Sequence, residues 1–199
     1  ASTFKRGIDF INVPTTLLSM VDASVGGKTG VDLGSLKNQI GVINQPIMVL
    51  VVPDFLNTLD NRQVRSGFAE MLKHGLIQDK LYWEALKQAE SLEDMKKHIL
   101  SSIQIKNNVV LQDPTEQNIR KILNYGHTLG HAIESYFLEN DSKETLLHGE
   151  AIAIGMILEG YLSNKLTNLP FATLEDIKTT FLSKYEKVEF LEEDFENIL

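Results

Sequence analysis

Six consecutive apolar residues, Ile47-Met48-Val49-Leu50-Val51-Val52, stand between Pro46 and Pro53 and divide the chain into two unlike parts. Proline interrupts regular hydrogen bonding on either side, and an unbroken apolar run of this length marks a strand buried on both faces of a parallel sheet. Upstream, residues 8–13 (Ile-Asp-Phe-Ile-Asn-Val) alternate loosely and stop at Pro14, as a strand ending in a turn does. A glycine-rich, polar-punctuated stretch, 21–45, separates the two, and Ala1 to Arg6 is helix-like. Residues 1–56 thus resemble the closing portion of an α/β layer.

Beyond Asn61 the periodicity is helical. Residues 61–77 and 81–90 form two helices. Ser91 with Asp94 suggests a capping box opening a helix to about Gln112, with Met95, Ile99, Ile103 and Val110 near one face and Pro114 ending it. One further helix carries the segment from His127 to about Phe137, another runs from Glu150 to about Leu166, and Thr173 with Asp176 starts one more. Residues 139–145 are polar and read as an exposed loop.

Composition excludes several classes of function. Apolar residues at 43% and charged residues at 23% describe a globular chain rather than a disordered one. The net charge of −8, with no basic tract, leaves no electrostatic footprint for nucleic acid. The longest apolar stretch is far too short to span a bilayer. Cysteine is absent, which removes disulfides and thiolate metal sites and is compatible with a reducing cytoplasm. With neither initiator Met nor signal peptide, the chain reads as a piece of something longer.

The chemistry concentrates in histidine. His127 and His131 are spaced i, i+4, which puts both rings on one helix face, and His148 follows across the polar loop. Antiparallel helices joined by that loop would bring His127 to His148. Glu70, flanked by apolar residues in Gly67-Phe68-Ala69-Glu70-Met71-Leu72-Lys73-His74, supplies a candidate third ligand, because a carboxylate among apolar neighbours is costly unless paired or metal-bound. Two histidines with one carboxylate form a catalytic zinc set that leaves a position open. Packed or capping histidines and a salt-bridged Glu70 are the plain alternatives. His74 and His98 follow lysines on charged faces and read as solvated.

Val25-Gly26-Gly27-Lys28-Thr29-Gly30 can offer backbone N–H groups and an ammonium to a phosphate, or form a simple glycine turn. It is not a P-loop, since Asp22 stands where the first glycine would be, and no Gly-x-Gly-x-x-Gly occurs. Lys73, Lys106 and Arg120 each read singly as surface charges. Together with a metal they suit a small substrate bearing both carboxylate and phosphate.

These blocks resemble the 3-dehydroquinate synthase family, in family order from residue 6 to about 160. The matching segments are Pro14-Thr15-Thr16-Leu17-Leu18, Val21 to Gly30, Lys37-Asn38, Gly67-Phe68-Ala69-Glu70 with Lys73, Leu123 to Ala132, and Leu147-His148-Gly149-Glu150. The resemblance implies a mainly α fold, with a helical metal- and substrate-binding domain at 57–199 of the dehydroquinate synthase-like fold. It is preceded at 1–56 by the last strands and helices of an α/β NAD-binding domain. It further implies Glu70, His127 and His148 as ligands of one divalent ion, zinc or cobalt, with His131 beside the substrate rather than on the metal. Lys73, Lys106, Arg120, Asn124, Asp22, Lys28 and Asn38 match substrate-holding positions. Arg6 matches an arginine reaching the neighbouring subunit's phosphate site. Thr15, Thr16, Asp22, Lys28, Lys37, Phe55 and Thr58 match the NAD surface. The implied reaction is conversion of 3-deoxy-arabino-heptulosonate 7-phosphate to 3-dehydroquinate and phosphate in the shikimate pathway. The implied protein is a cytoplasmic homodimer taking a sugar-acid phosphate, and neither nucleic acid nor membrane is expected as a partner. The chain resembles a carboxy-terminal portion truncated at both ends, so the isolated piece is expected to be inactive. A sister cyclase, a metal-dependent polyol dehydrogenase and a non-catalytic helical metal module are the rival readings.

Overall fold

Eight α-helices follow one another from Asn61 in the computed structural model, which describes residues 1–33 and 36–198. The first, α1 (Asn61–Gln78), is capped by Asp60, whose carboxylate accepts the Arg62 N–H at 2.8 Å. Every residue from Ser66 to Gly75 is buried, so α1 is enclosed on all sides rather than along one stripe. Around it lie α2 (Lys80–Lys87), α4 (Ile99–Gln112) and α6 (His148–Leu166). Between α2 and α4 the capping box of Ser91 and Asp94 opens α3 (Leu92–Lys96). The single helix expected there is two: the His98 N–H closes back on the Met95 carbonyl at 3.0 Å, a three-residue turn that breaks the α ladder.

Helix α5 (His127–Glu139) runs antiparallel to α6, since Gly126 meets Met156, Gly130 meets Ile152, and His148 meets Glu134. This seam depends on glycine. Gly126 has a φ of 80°, and a Cβ there would strike Met156, while one on Gly155 would strike the Gly126 carbonyl oxygen. Helix α7 (Phe171–Lys184) starts directly after Pro170, two residues before the expected Thr173. Asp176 is instead held by Trp83 Nε1 and Lys87 Nζ, each at 2.8 Å. A short α8 (Glu192–Ile198), which no sequence signal anticipates, closes the described chain.

The α/β portion departs furthest from expectation. Of 8–13 only β1 (Ile11–Asn12) is strand, and of the apolar run only β4 (Met48–Val49), which pairs with β1 in parallel. Ile47, Met48 and Leu50 are 66%, 47% and 47% exposed, so the run is not buried on both faces. The reason is partnership: β1 is the one strand hydrogen-bonded to β4 among the described residues. The glycine-rich stretch also holds an unanticipated antiparallel hairpin, β2 (Val31–Leu33) and β3 (Leu36–Ile40). What anchors this region is a π-helical turn, Ser19–Ala23, and its lead-in. Leu17, Met20 and Val21 are fully buried in one core with Phe68, Met71, Leu72, Ile152, Met156 and Phe181. Fully burying such side chains contributes roughly 1.5–3 kcal/mol each. Among the described residues, no helix is long and apolar enough to cross a membrane.

Candidate metal and substrate site

The chemistry begins on the enclosed helix. Glu70 is 0% and Lys73 1% exposed, and Lys73 Nζ forms an ion pair with Glu70 Oε2. The other oxygen, Oε1, receives no hydrogen bond. It faces His127 Nε2 at 3.5 Å and His148 Nε2 at 3.7 Å. Each histidine is the first residue of its helix and is oriented from behind. His127 Nδ1 lies 3.2 Å from the Tyr125 carbonyl, and His148 Nδ1 lies 3.3 Å from Glu134 Oε2. Donation from Nδ1 to those acceptors turns both Nε2 lone pairs toward Glu70 Oε1.

A carboxylate oxygen and two imidazole nitrogens facing one another can share either a proton or a metal cation. Ligands about 2.1 Å from a tetrahedral ion lie about 3.4 Å apart, close to the separations found, and the donor set of two imidazoles and one carboxylate is that of catalytic zinc. The Nδ1 contacts are the outer-sphere bonds that fix ligand tautomers. The residues therefore fit a divalent ion. His131 lies one turn along α5, and its ring centroid is 5.2 Å from that of His127 and 5.6 Å from that of His148. Ligand atoms of these three histidines all lie within 4.8 Å of one another. His131 is the exposed member, at the mouth of the cluster.

Without a metal the charges settle among the side chains. Burial, reinforced by the Lys73 ammonium, lowers the His127 pKa to about 4. Burial disfavours the charged form of His148 too, but the neighbouring Glu134 and Glu70 carboxylates prevail and raise it to about 9. Glu70 overcomes its own burial because Lys73 and the two imidazoles hold its carboxyl well below the usual range.

A cavity of about 330 Å³ opens beside this cluster. It brings together Asp22, Lys28, Lys73, Lys106, Arg120, Asn124, His127, His131 and His148, nine of the expected positions. Lys73, Lys106 and Arg120 are not surface charges: they are 1%, 7% and 2% exposed. Lys106 Nζ donates to the Asp22 carboxylate and carbonyl oxygens, both at 2.6 Å. Arg120 donates to the Pro114 carbonyl at 2.7 Å and to the Gly26 carbonyl at 3.1 Å, so the glycine turn is docked on a guanidinium.

Other expectations end differently. His74 is fully buried rather than solvated, with Nδ1 2.6 Å from Ser102 Oγ and, chiefly through burial, a pKa of about 4. His98 is partly buried edge-on against Tyr82 at 5.8 Å. The lysine before His74 misleads because Lys73 is itself buried on the enclosed α1. Arg6, Thr15, Phe55 and Thr58 are exposed, and with Thr16 they lie outside the cavity lining. Thr16 is bonded to Ser19 at the start of the π-helical turn. Lys37 and Asn38 fall in β3, and their side chains lie outside the described residues. Two site residues went unforeseen. Glu116, at a positive φ of 59°, binds Lys28 and accepts from Asn124 Nδ2 at 2.8 Å. Glu134 lies two turns beyond His127 on α5, a spacing that could have flagged it.

Comparison with known proteins starts from the fold. A structure of 2-deoxy-scyllo-inosose synthase complexed with carbaglucose-6-phosphate, NAD+ and Co2+ superposes with a TM-score of 0.78 at 32% identity, over 93% of this chain and 51% of that one. ValA, the 2-epi-5-epi-valiolone synthase of Streptomyces hygroscopicus subsp. jinggangensis 5008, with NAD+ and Zn2+ bound, gives 0.75 at 29% identity, over 92% of this chain and 52% of that one. The helical site thus has the architecture of these synthases.

Sequence narrows the class. Residues 1–66 match the 3-dehydroquinate synthase N-terminal family and residues 67–199 the 3-dehydroquinate synthase C-terminal family. The 3-dehydroquinate synthase of Helicobacter pylori (strain P12) is 46% identical over 198 residues, 100% of this chain and 53% of that protein. That of Parabacteroides distasonis is 44% identical over 182 residues, 88% of this chain and 50% of that protein. The chain belongs to the 3-dehydroquinate synthase family. It spans about half the length of the curated relatives it matches.

Proposed function

We propose that the protein to which this chain contributes is a 3-dehydroquinate synthase. It converts 3-deoxy-arabino-heptulosonate 7-phosphate to 3-dehydroquinate and phosphate by oxidation, phosphate elimination, reduction and aldol closure. The observation that carries this reading is the convergence of Glu70, His127 and His148 at a cavity lined by buried Lys73, Lys106 and Arg120. Glu70, His127 and His148 would hold one zinc or cobalt ion. When bound, that ion withdraws electron density from adjacent substrate hydroxyls, and NAD+ takes and returns a hydride.

The chain's own residues position and neutralise. Lys106 and Arg120 bind the substrate carboxylate, and Lys28, Asn124 and Asn38 hold hydroxyl or phosphate oxygens. Lys73, buried against Glu70, supplies a fixed positive charge beside the reacting carbons. His131 contacts the substrate at the mouth. Fixed charges already in place need no rearrangement as the reaction proceeds. Residues 1–56 are the end of the NAD-binding domain, with Thr15, Thr16, Lys37, Phe55 and Thr58 on its cofactor side, and 57–199 form the helical domain. The protein is a cytoplasmic homodimer in which Arg6 reaches its neighbour's phosphate site.

Carboxylate recognition separates this reading from a sister cyclase. The full-length gene product, given NAD+ and cobalt or zinc, should release phosphate from the seven-carbon keto acid phosphate and not from glucose 6-phosphate. Turnover of glucose 6-phosphate alone, which lacks the carboxylate, would overturn the assignment. Metal analysis tests the site: His127→Ala should lower both metal content and turnover, and the reading of a metal centre fails if neither changes. The present chain assayed alone should release no phosphate.

A further inference from the structure

Helix α5 carries His127 at its first position yet has no capping side chain of its own, because its N-cap is Gly126. The first N–H groups of a helix have no partner within it. Here they are satisfied from α6. Glu159 Oε2 accepts the Gly126 N–H at 2.7 Å, and Oε1 accepts those of Thr128 at 3.1 Å and Leu129 at 3.3 Å. On the other side of Gly126, the Tyr125 hydroxyl donates to the Met156 carbonyl at 2.7 Å. The backbone is therefore tied to α6 immediately before and immediately after His127. Because α6 also begins with His148, these ties decide how far apart the two imidazoles stand.

We infer that Glu159 is a positioning residue for His127. Gripping the first turn of α5 from three turns along α6, its carboxylate sets the rotation and height of that turn. It thereby aims the His127 ring at Glu70 and His148. A cap confined to α5 could stabilise the helix equally well but would carry no information about α6. Glycine at 126 makes such a remote grip both necessary and possible: the position offers no side-chain oxygen, and the two helices approach closely there. The inference rests on the proposed metal site.

The test measures Co2+ affinity by chelator competition, alongside melting temperature, in the full-length gene product. Glu159→Ala should weaken Co2+ binding by about 10- to 100-fold, the range seen when outer-sphere partners of a metal ligand are lost. Glu159→Gln, which keeps an acceptor oxygen, should restore most of that loss. Asp79→Ala removes the cap of α2, outside the cavity lining, and should lower the melting temperature with affinity intact. If Glu159→Ala lowers the melting temperature but leaves Co2+ affinity at the wild-type value, the positioning role is overturned while the metal site stands. If the wild-type protein binds no Co2+, both fall. Should Glu159→Ala fail to fold, Glu159→Asp decides. Its carboxylate is charged but set back by one methylene, so weakened affinity supports the role and unchanged affinity refutes it.

Discussion

The apolar run at Ile47–Val52 and the polar residues within Glu70–His74 exchange the fates that composition assigns them. In the first, Ile47, Met48 and Leu50 are about half exposed or more; in the second, Glu70, Lys73 and His74 are no more than 1% exposed. Within this chain, which spans about half the length of its curated relatives, burial follows how many elements surround a segment rather than its hydropathy. Strand β4 has one short partner, whereas α1 is enclosed by α2, α4, α6 and the π-helical turn. The enclosure is tolerated because Glu70 pairs with Lys73 and His74 is neutral, with Nδ1 bonded to Ser102.

Three measurements can break or sharpen this contrast. The largest effect is expected in the enclosed region, where Leu72 is fully buried: Leu72→Ala should cost ~2–5 kcal/mol in denaturant unfolding. Ile47→Ala, at 66% exposure, should stay within ~0.5 kcal/mol. Equal losses would show that the two regions share one degree of packing after all. A middling effect belongs to the joint between the regions. Lys106→Met strands the Asp22 carboxylate, and because its side chain is 26% exposed we expect a loss of about 2 kcal/mol rather than the larger penalty of full burial. Lys97→Met, at an exposed pair, serves as the comparison and should leave the unfolding midpoint unmoved.

The smallest effect lies at the far end of the helical body. Asp194 accepts from Lys143 Nζ at 2.6 Å and from Tyr136 Oη at 2.7 Å, and these partners lower its pKa to about 2. A depressed acid contributes stability that is fully present above the unfolded value of about 3.9 and fades as pH falls through the folded one. The melting temperature of wild type should therefore exceed that of Asp194→Asn above pH ~4, and the gap should close toward pH ~2. No gap at any pH would mean that α8 is held by its apolar contacts alone.

Legibility followed the same division. Helices with strong caps were readable to within a few residues: the Ser91–Asp94 box and the bounds of α1 and α6 needed only local chemistry. Strands were not, because a strand is stable only with a partner whose position local sequence does not state, and the β2–β3 hairpin passed unnoticed for that reason. Within the site, Glu70, His127 and His148 could be named from residue type and spacing, since a carboxylate among apolar neighbours and paired histidines are unusual in themselves. Glu116 and Glu159 could not, and Glu134 only through its seven-residue spacing from His127. Each is an ordinary charged residue whose role arises from contacts with Lys28, His148 and the start of α5.

By itself the sequence determined the helical character beyond Asn61, the family resemblance and the donor atoms available to a cation. All of these depend on residue identity and short-range spacing. The tertiary structure alone decided which of those donors converge, that three cations are buried rather than solvated, and that the apolar run pairs with β1 over only two residues. Those outcomes depend on distances between segments remote in the chain, and residue order constrains such distances only through the packing of the whole.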